Sequence, residues 1–269
     1  MKRSIVPSII FITVFALMFG ACSSSKEVEN IPAEERYRQA KELFDDEKYL
    51  EAIEEFKIVI VQYQGSEYAD EAQFYLAECR YLRGEYILAA AEYDNLVRTM
   101  PTSPYTPLAR YKKALSHYEL SPKPQLDQKY SRFAIDDFQT YIEYSPQDSM
   151  VADSETKIRE LTEKLSRKLF ESGRLYFRME YYRAAIAYFE KVTSEYNDTP
   201  FADDAMLWKA RAHNARKDFA AARVTLDDLG VRYPGSDLAP DIAELRTQIA
   251  EDEAEHQESL LARKNLRNE

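Results

Sequence analysis

Cysteine and histidine are the side chains of this 269-residue sequence best suited to chemistry, and their placement argues against catalysis. His117, His213 and His256 lie far apart, and none shares a metal-ligand spacing with another. Glu253-x-x-His256 has the i, i+3 geometry of half a di-iron site, but no matching partner helix is evident, so a solvated charged helix explains it better. There is no Gly-x-Ser-x-Gly elbow for an activated serine. Six glycines leave little material for a loop that cradles phosphate. Carboxylates are abundant, and abundance spread over helix surfaces serves solubility. The expectation is a non-enzymatic protein with no metal, no cofactor and no small-molecule substrate.

Of the two cysteines, Cys79 lies in a helical apolar pattern and reads as a small buried hydrophobe. Cys22 has a different setting. Lys2 and Arg3 precede an apolar run from Ile5 to Phe19, then the small residues Gly20 and Ala21, then Cys22 and three serines. This is the layout of a secretory signal with its cut before Cys22. Phe19-Gly20-Ala21-Cys22 resembles the lipobox of bacterial lipoproteins, with Phe19 where that family usually has Leu. The resemblance implies that Cys22 is acylated and becomes the first mature residue. Ser23, in place of the Asp that retains such proteins at the inner membrane, favours the outer membrane. An uncleaved span fits less well, because the apolar run falls short of the ~20 residues a bilayer needs. Each acyl CH₂ contributes about 0.8 kcal/mol on burial, so several chains on Cys22 would hold a soluble domain to the membrane. With Cys22 so used, no intrachain disulfide is expected. The polar, aperiodic stretch up to residue 32 reads as a flexible tether.

The elements that follow are helical. Charged residues make up 31% and hydrophobic residues 45%, a helix-prone folded composition. The net charge of −11 becomes −13 without Lys2 and Arg3, and so acidic a chain is a poor nucleic-acid ligand. Four stretches repeat one pattern: an aromatic, Ala three residues on, and a large apolar residue four after that. They are Tyr49-Ala52-Phe56, Tyr86-Ala89-Tyr93, Tyr182-Ala185-Phe189 and Phe219-Ala222-Leu226. Ser131–Phe138 is a weaker fifth copy around Ala134. The central alanines are spaced by 37, 45, 51 and 37 residues. Ala and the residue at i+4 share a helix face, so a small residue admits a neighbouring helix and the large one fills the gap beside it.

Upstream of each copy runs a second amphipathic segment, with Ala40, Ala77, Ala114, Gly173 and Ala210 at its small-residue position. Each unit closes on a turn signal: Tyr63-Gln-Gly-Ser66, Met100-Pro-Thr-Ser103, Tyr144-Ser-Pro-Gln147, Tyr196-Asn-Asp-Thr199 and Tyr233-Pro-Gly-Ser236. Proline stops a helix, and Ser, Thr or Asp can cap the next. The units resemble the tetratricopeptide repeat, a helix–turn–helix of about 34 residues. The fold class expected is therefore all-α: a superhelical solenoid of about five helix pairs, Ala33 to Ser236, plus a C-terminal helix. The wide spacings place a loop at Ser121–Asp127 in repeat three and a long first helix, about Met150 to Met179, in repeat four. The expected segments are signal 1–21, tether 22–32, repeats one to three 33–147, repeats four and five 148–236, and a capping helix fraying into a charged tail at 237–269.

In such a solenoid the first helix of each repeat lines the concave face. That places Tyr37, Lys41, Phe44, Phe74, Tyr81, Tyr111 and Tyr118 as candidates for a groove taking an extended peptide, with about half of these aromatics expected in the core. The positions that hold a terminal-carboxylate clamp in some repeat proteins carry Tyr37, Phe74 and Tyr111, so no such clamp is expected. Trp208, Arg211 and Arg216 are candidates for a protein interface, since Trp and Arg are its usual anchors.

A lipobox followed by five such repeats, with the insertion in repeat three and the long helix of repeat four, resembles the BamD family of outer-membrane assembly lipoproteins. The resemblance implies a lipid-anchored scaffold on the periplasmic side of the outer membrane. Repeats one to three would engage unfolded β-barrel proteins, and repeats four and five a BamA-like barrel subunit through its periplasmic domains. The alternative is a periplasmic repeat lipoprotein serving cell-wall or polysaccharide-export machinery as an adaptor.

Overall fold

The computed structural model describes residues 31–268, so the signal-like stretch and Cys22 lie outside the described residues. Eleven helices and no strand occur among the described residues. Five antiparallel pairs follow one another: α1 (Ala33–Asp45) with α2 (Tyr49–Gln62), α3 (Ala69–Leu82) with α4 (Tyr86–Thr99), and α5 (Thr106–Glu119) with α6 (Lys129–Tyr144). The last two are α7 (Val151–Arg178) with α8 (Tyr182–Glu195), and α9 (Ala202–Ala215) with α10 (Phe219–Arg232). α11 (Ala239–Asn268) ends the chain. Each helix packs on the next, as in a solenoid.

The repeated pattern explains the pairing. Four second helices begin at the pattern's aromatic, Tyr49, Tyr86, Tyr182 or Phe219, and each is 14 residues long. The central alanines Ala52, Ala89, Ala134, Ala185 and Ala222 are fully buried, as are Ala40, Ala77, Ala114 and Ala210 opposite them. Helices meet where both carry a small side chain, and Phe56, Tyr93, Phe138, Phe189 and Leu226 fill the space alongside. Burying each such side chain is worth about 1.5–3 kcal/mol. In repeat four the approach is closest: a Cβ on Gly173 would stand 2.6 Å from Cε1 of Phe189.

Within four pairs the turn has one geometry. Glu47, Gly84, Glu180 and Lys217 occupy the same repeat position and all have φ between 61° and 74°. The next residue's N–H then reaches back five residues to a helix carbonyl, as in Glu85 N to Arg80 O at 2.9 Å, closing a Schellman motif. Only repeat two places glycine where that left-handed backbone favours it. Repeat three has the insertion instead. There Gln128, 1% exposed, donates to the carbonyls of Lys123 and Leu126 at 2.8 and 3.0 Å, and Lys168 of α7 donates to Leu126 O at 2.5 Å.

Between repeats, turns close as expected at Tyr63–Ser66, Met100–Ser103, Tyr196–Thr199 and Tyr233–Ser236. In repeat three the closing bond runs from Asp148 N to Ser145 O, one residue later than expected. The turn hydroxyls do not cap helices in the expected way. Ser103 Oγ and Ser236 Oγ instead donate to Asp70 and Asp203 at 2.6 and 2.7 Å, tying each turn to the first helix of its own repeat's pair.

α7 joins the two halves. Leu161 packs with Ala114, Ala134 and Phe138, and Phe170, about two and a half turns on, packs with Ala185 and Phe189. α11 buries Leu245 and Ile249 against Leu226 and Leu229. Beyond that cap the helix continues to Asn268.

Candidate protein-binding surfaces

The groove candidates lie at three repeat positions, and the structure divides them. Phe74 is only 5% exposed and stacks on Tyr105 at 5.2 Å, so it is core and not a groove residue. It is wedged between two aromatic layers, Tyr93 being 5.9 Å away. Tyr37 is half-buried, stacked on Tyr68 at 5.2 Å. Phe44 sits edge-on to Tyr75 at 5.0 Å, and Lys41 Nζ lies over both rings at 4.9 and 4.7 Å while pairing with Asp45. Tyr81 lies under Lys112 Nζ at 5.1 Å and reaches Glu119 at 3.5 Å.

Tyr111 and Tyr118 donate to carboxylates on α7, Asp153 at 2.7 Å and Glu160 at 2.6 Å. The Glu160 bond, with burial, pushes the Tyr118 phenol up to about 12, and burial pushes the Tyr81 and Tyr111 phenols up as well. All three remain neutral donors at physiological pH. Repeats one to three therefore present half-buried aromatic rings, overlaid by lysines and bonded to acids: a surface with both apolar contact and polar handles.

The second candidate set is built differently. Trp208 packs edge-on against Phe177 at 5.2 Å, and the guanidinium groups of Arg174 and Arg211 lie 4.8 and 4.9 Å from its ring. Arg211 also pairs with Asp241 of α11 at 3.1 Å. Arg216 is the exposed residue that ends α9, and it borders an apolar depression of about 390 Å³ with Tyr181 and Tyr182. Cation–π contacts at half-desolvated rings are worth about 1 kcal/mol each, and Trp gives the strongest. Arg174 was missed in the sequence reading, although it stands one residue after the small position Gly173 just as Arg211 stands after Ala210. Repeat alignment was the signal that could have found it.

A larger cavity, about 790 Å³, opens between the first half of α7 and the inter-repeat turns. Ile158, Arg159, Glu163, Asp198, Pro200 and Tyr233 help line it, and no candidate from the sequence does. The other chemistry-bearing residues are engaged structurally. Glu253 pairs with Arg223 at 2.7 Å, and His256 packs beside Phe219. Cys79 is buried, and burial pushes its thiol up to about 12.

The family described as YfiO, outer membrane lipoprotein, matches residues 29–226. The chain belongs to that family. Among relatives named outer membrane protein assembly factor BamD, the Rickettsia prowazekii protein is 28% identical over 83% of this chain and 90% of its own length. That of Caulobacter vibrioides is 23% identical over 83% and 75%. That of Vibrio cholerae is 22% identical over 74% and 86%. Among solved structures, the TPR2AB domain of yeast Sti1 in its pHSP90 complex aligns with a TM-score of 0.40 at 15% identity, covering 81% of this chain and 98% of its own. A tetratricopeptide repeat protein of Parabacteroides merdae aligns at 0.35 and 15% identity, over 88% and 79%. The YfiO match takes in all five helix pairs up to the middle of α10 and leaves α11 outside.

Proposed function

We propose that this protein is a non-enzymatic scaffold that helps assemble β-barrel proteins into the outer membrane, held to its periplasmic face by a lipid on Cys22. Repeats one to three receive unfolded barrel segments on the surface around Tyr37, Lys41, Phe44, Tyr81, Tyr111 and Tyr118. Repeats four and five dock a BamA-like barrel subunit, through Trp208, Arg211 and Arg216. The names of its relatives support the assembly role. The observation that carries the two-surface reading is the change in the lining from bonded tyrosines to an arginine-flanked tryptophan within one solenoid. Trp and Arg dominate interface energetics, whereas rings with polar handles suit varied extended chains.

The test is affinity purification of the tagged protein from detergent-solubilised membranes. Recovery of a BamA-like barrel protein in stoichiometric amount is expected. The variant carrying Trp208→Ala and Arg211→Glu should lose at least ~30-fold in affinity, about 2 kcal/mol, while keeping its helical signal. Normal retention by that variant would sink the interface assignment. Recovery of cell-wall or export proteins instead would move the function to an adaptor role on the same fold.

A further inference from the structure

The C-terminal end of α11 has no counterpart in the part of the chain that matches the YfiO family. His256 is the last half-buried residue of α11 among the described residues: its ring lies 6.0 Å from Phe219 and its Nδ1 is 3.2 Å from Lys217 Nζ, and Ser259 borders the depression that these residues line. From there to Asn268 the helix runs about 18 Å, at 1.5 Å per residue, and residues 257–267 are all exposed. Leu260, Leu261 and Leu266 on this stretch are 50, 62 and 75% exposed. Arg263, Lys264 and Arg267 lie among them, none in an ion pair among the described residues. Residues 260–268 contain no acid, in a chain whose net charge is −11.

The arrangement around the helix discriminates between occupants. At about 100° per residue, Leu261 lies about 100° and Leu266 about 240° from Leu260. A partner helix or a second copy needs an apolar stripe at i, i+3, i+4 and i+7. Leu260, Leu261 and Leu266 give no such stripe, whereas exposed leucines with three unpaired cations among them match an anionic lipid surface, which takes leucines below its headgroups and pairs snorkelling cations at them. We propose that the tip of α11, residues 260–268, is a membrane-contact element that enters the headgroup region of anionic lipid. It is a second point of membrane contact, at the opposite end of the chain from Cys22, and it does not depend on the assignment of either protein surface.

The test uses the full chain with an environment-sensitive dye on Ala262→Cys, an exposed site in the tip. Cys79 is buried with its thiol pKa pushed up to about 12, so it does not compete for label. Phosphatidylglycerol-containing vesicles should blue-shift the dye where pure phosphatidylcholine vesicles do not, and salt should reverse the shift. An acyl anchor brings the protein to both vesicle types alike, so the contrast reports the tip. Replacing Arg263, Lys264 and Arg267 with Gln should weaken the lipid response about fivefold per cation. Leu260→Ser with Leu261→Ser and Leu266→Ser should abolish it. The proposal is overturned by an equal response to both vesicle types, by no response, or by a shift without lipid that grows with protein concentration, which would assign the tip to a second copy.

Discussion

At equivalent positions, repeat three and repeats four and five solve the same packing problem with different chemistry. Three residues before the small position, repeat three carries Tyr111, repeat four Phe170 and repeat five Leu207; four residues after it, they carry Tyr118, Phe177 and Asn214. The rings of Tyr111 and Tyr118 pack against Phe138, and their hydroxyls hold Asp153 and Glu160 on α7, the first helix of the next repeat. Phe170 and Phe177 have no hydroxyl to offer, and the polar contribution comes instead from Arg174 and Arg211 over Trp208. The small-residue contact recurs in every unit, whereas the side chains beside it change from bonded tyrosines in repeat three to the buried Phe170 and Leu207 of repeats four and five. A solenoid permits this because each repeat contacts only its neighbours, so the lining can change without disturbing the stack.

The largest effect expected tests how closely the shared packing is fitted. Four repeats place Ala at the small position and repeat four places Gly173, whose missing Cβ is filled by the Phe189 ring. Gly173→Ala gains about 1 kcal/mol of helix propensity but overpacks a fully buried phenylalanine, which costs about 1–3 kcal/mol. A net loss of about 1 kcal/mol or more in urea denaturation is expected. Adding Phe189→Leu should recover part of it. Stabilisation by Gly173→Ala alone would show that repeat four packs no more tightly than its neighbours.

Much of this fold was legible in the sequence because its period is carried by buried residues. The central alanines and their partners were readable from spacing alone, and so was the long α7, since an insertion must go somewhere between two fixed copies. The surface was less legible. Phe74 looks like Tyr37 and Tyr111 in sequence, and its ring meets Tyr105 of the following turn just as Tyr37 meets Tyr68, yet of the three only Phe74 is sealed from solvent, which no local pattern announces. The 790 Å³ cavity draws its lining from α7 and from two turns more than thirty residues away, and nothing in any one stretch marks it. The left-handed residues Glu47, Glu180 and Lys217 were invisible for a related reason: only Gly84 advertises the backbone that all four share.

A smaller effect sharpens the contrast between the linings. Removing one hydroxyl at a time, with Tyr111→Phe and Tyr118→Phe, should cost about 0.5–1 kcal/mol each, since the partner carboxylates are exposed and can return to water. The rings stay, so aromatic packing is preserved. If the double variant unfolds at the same urea concentration as the parent, the hydroxyl–carboxylate bonds do not join α5 to α7. They would then be available to incoming chains rather than committed to the scaffold.

The smallest effect concerns pH. His117 and His213 occupy the same repeat position, one in each half, three residues after Ala114 and Ala210. His117 Nδ1 faces Asp137 at 2.6 Å. His213 is enclosed in repeat five, where burial pushes its pKa below the ordinary value. Asp218, 3.4 Å away, partly opposes that shift, and Lys209 and Arg216 add to it. A histidine held neutral in the folded state binds its proton more readily once unfolded, so its contribution is present above the unfolded pKa of about 6.5 and is lost as pH falls below it. Between pH 7.5 and 5.5 the parent should lose up to about 1 kcal/mol more stability than His213→Gln, read as the difference between their urea midpoints at the two pH values. Equal losses would mean that His213 takes up its proton in place, with Asp218 as its partner.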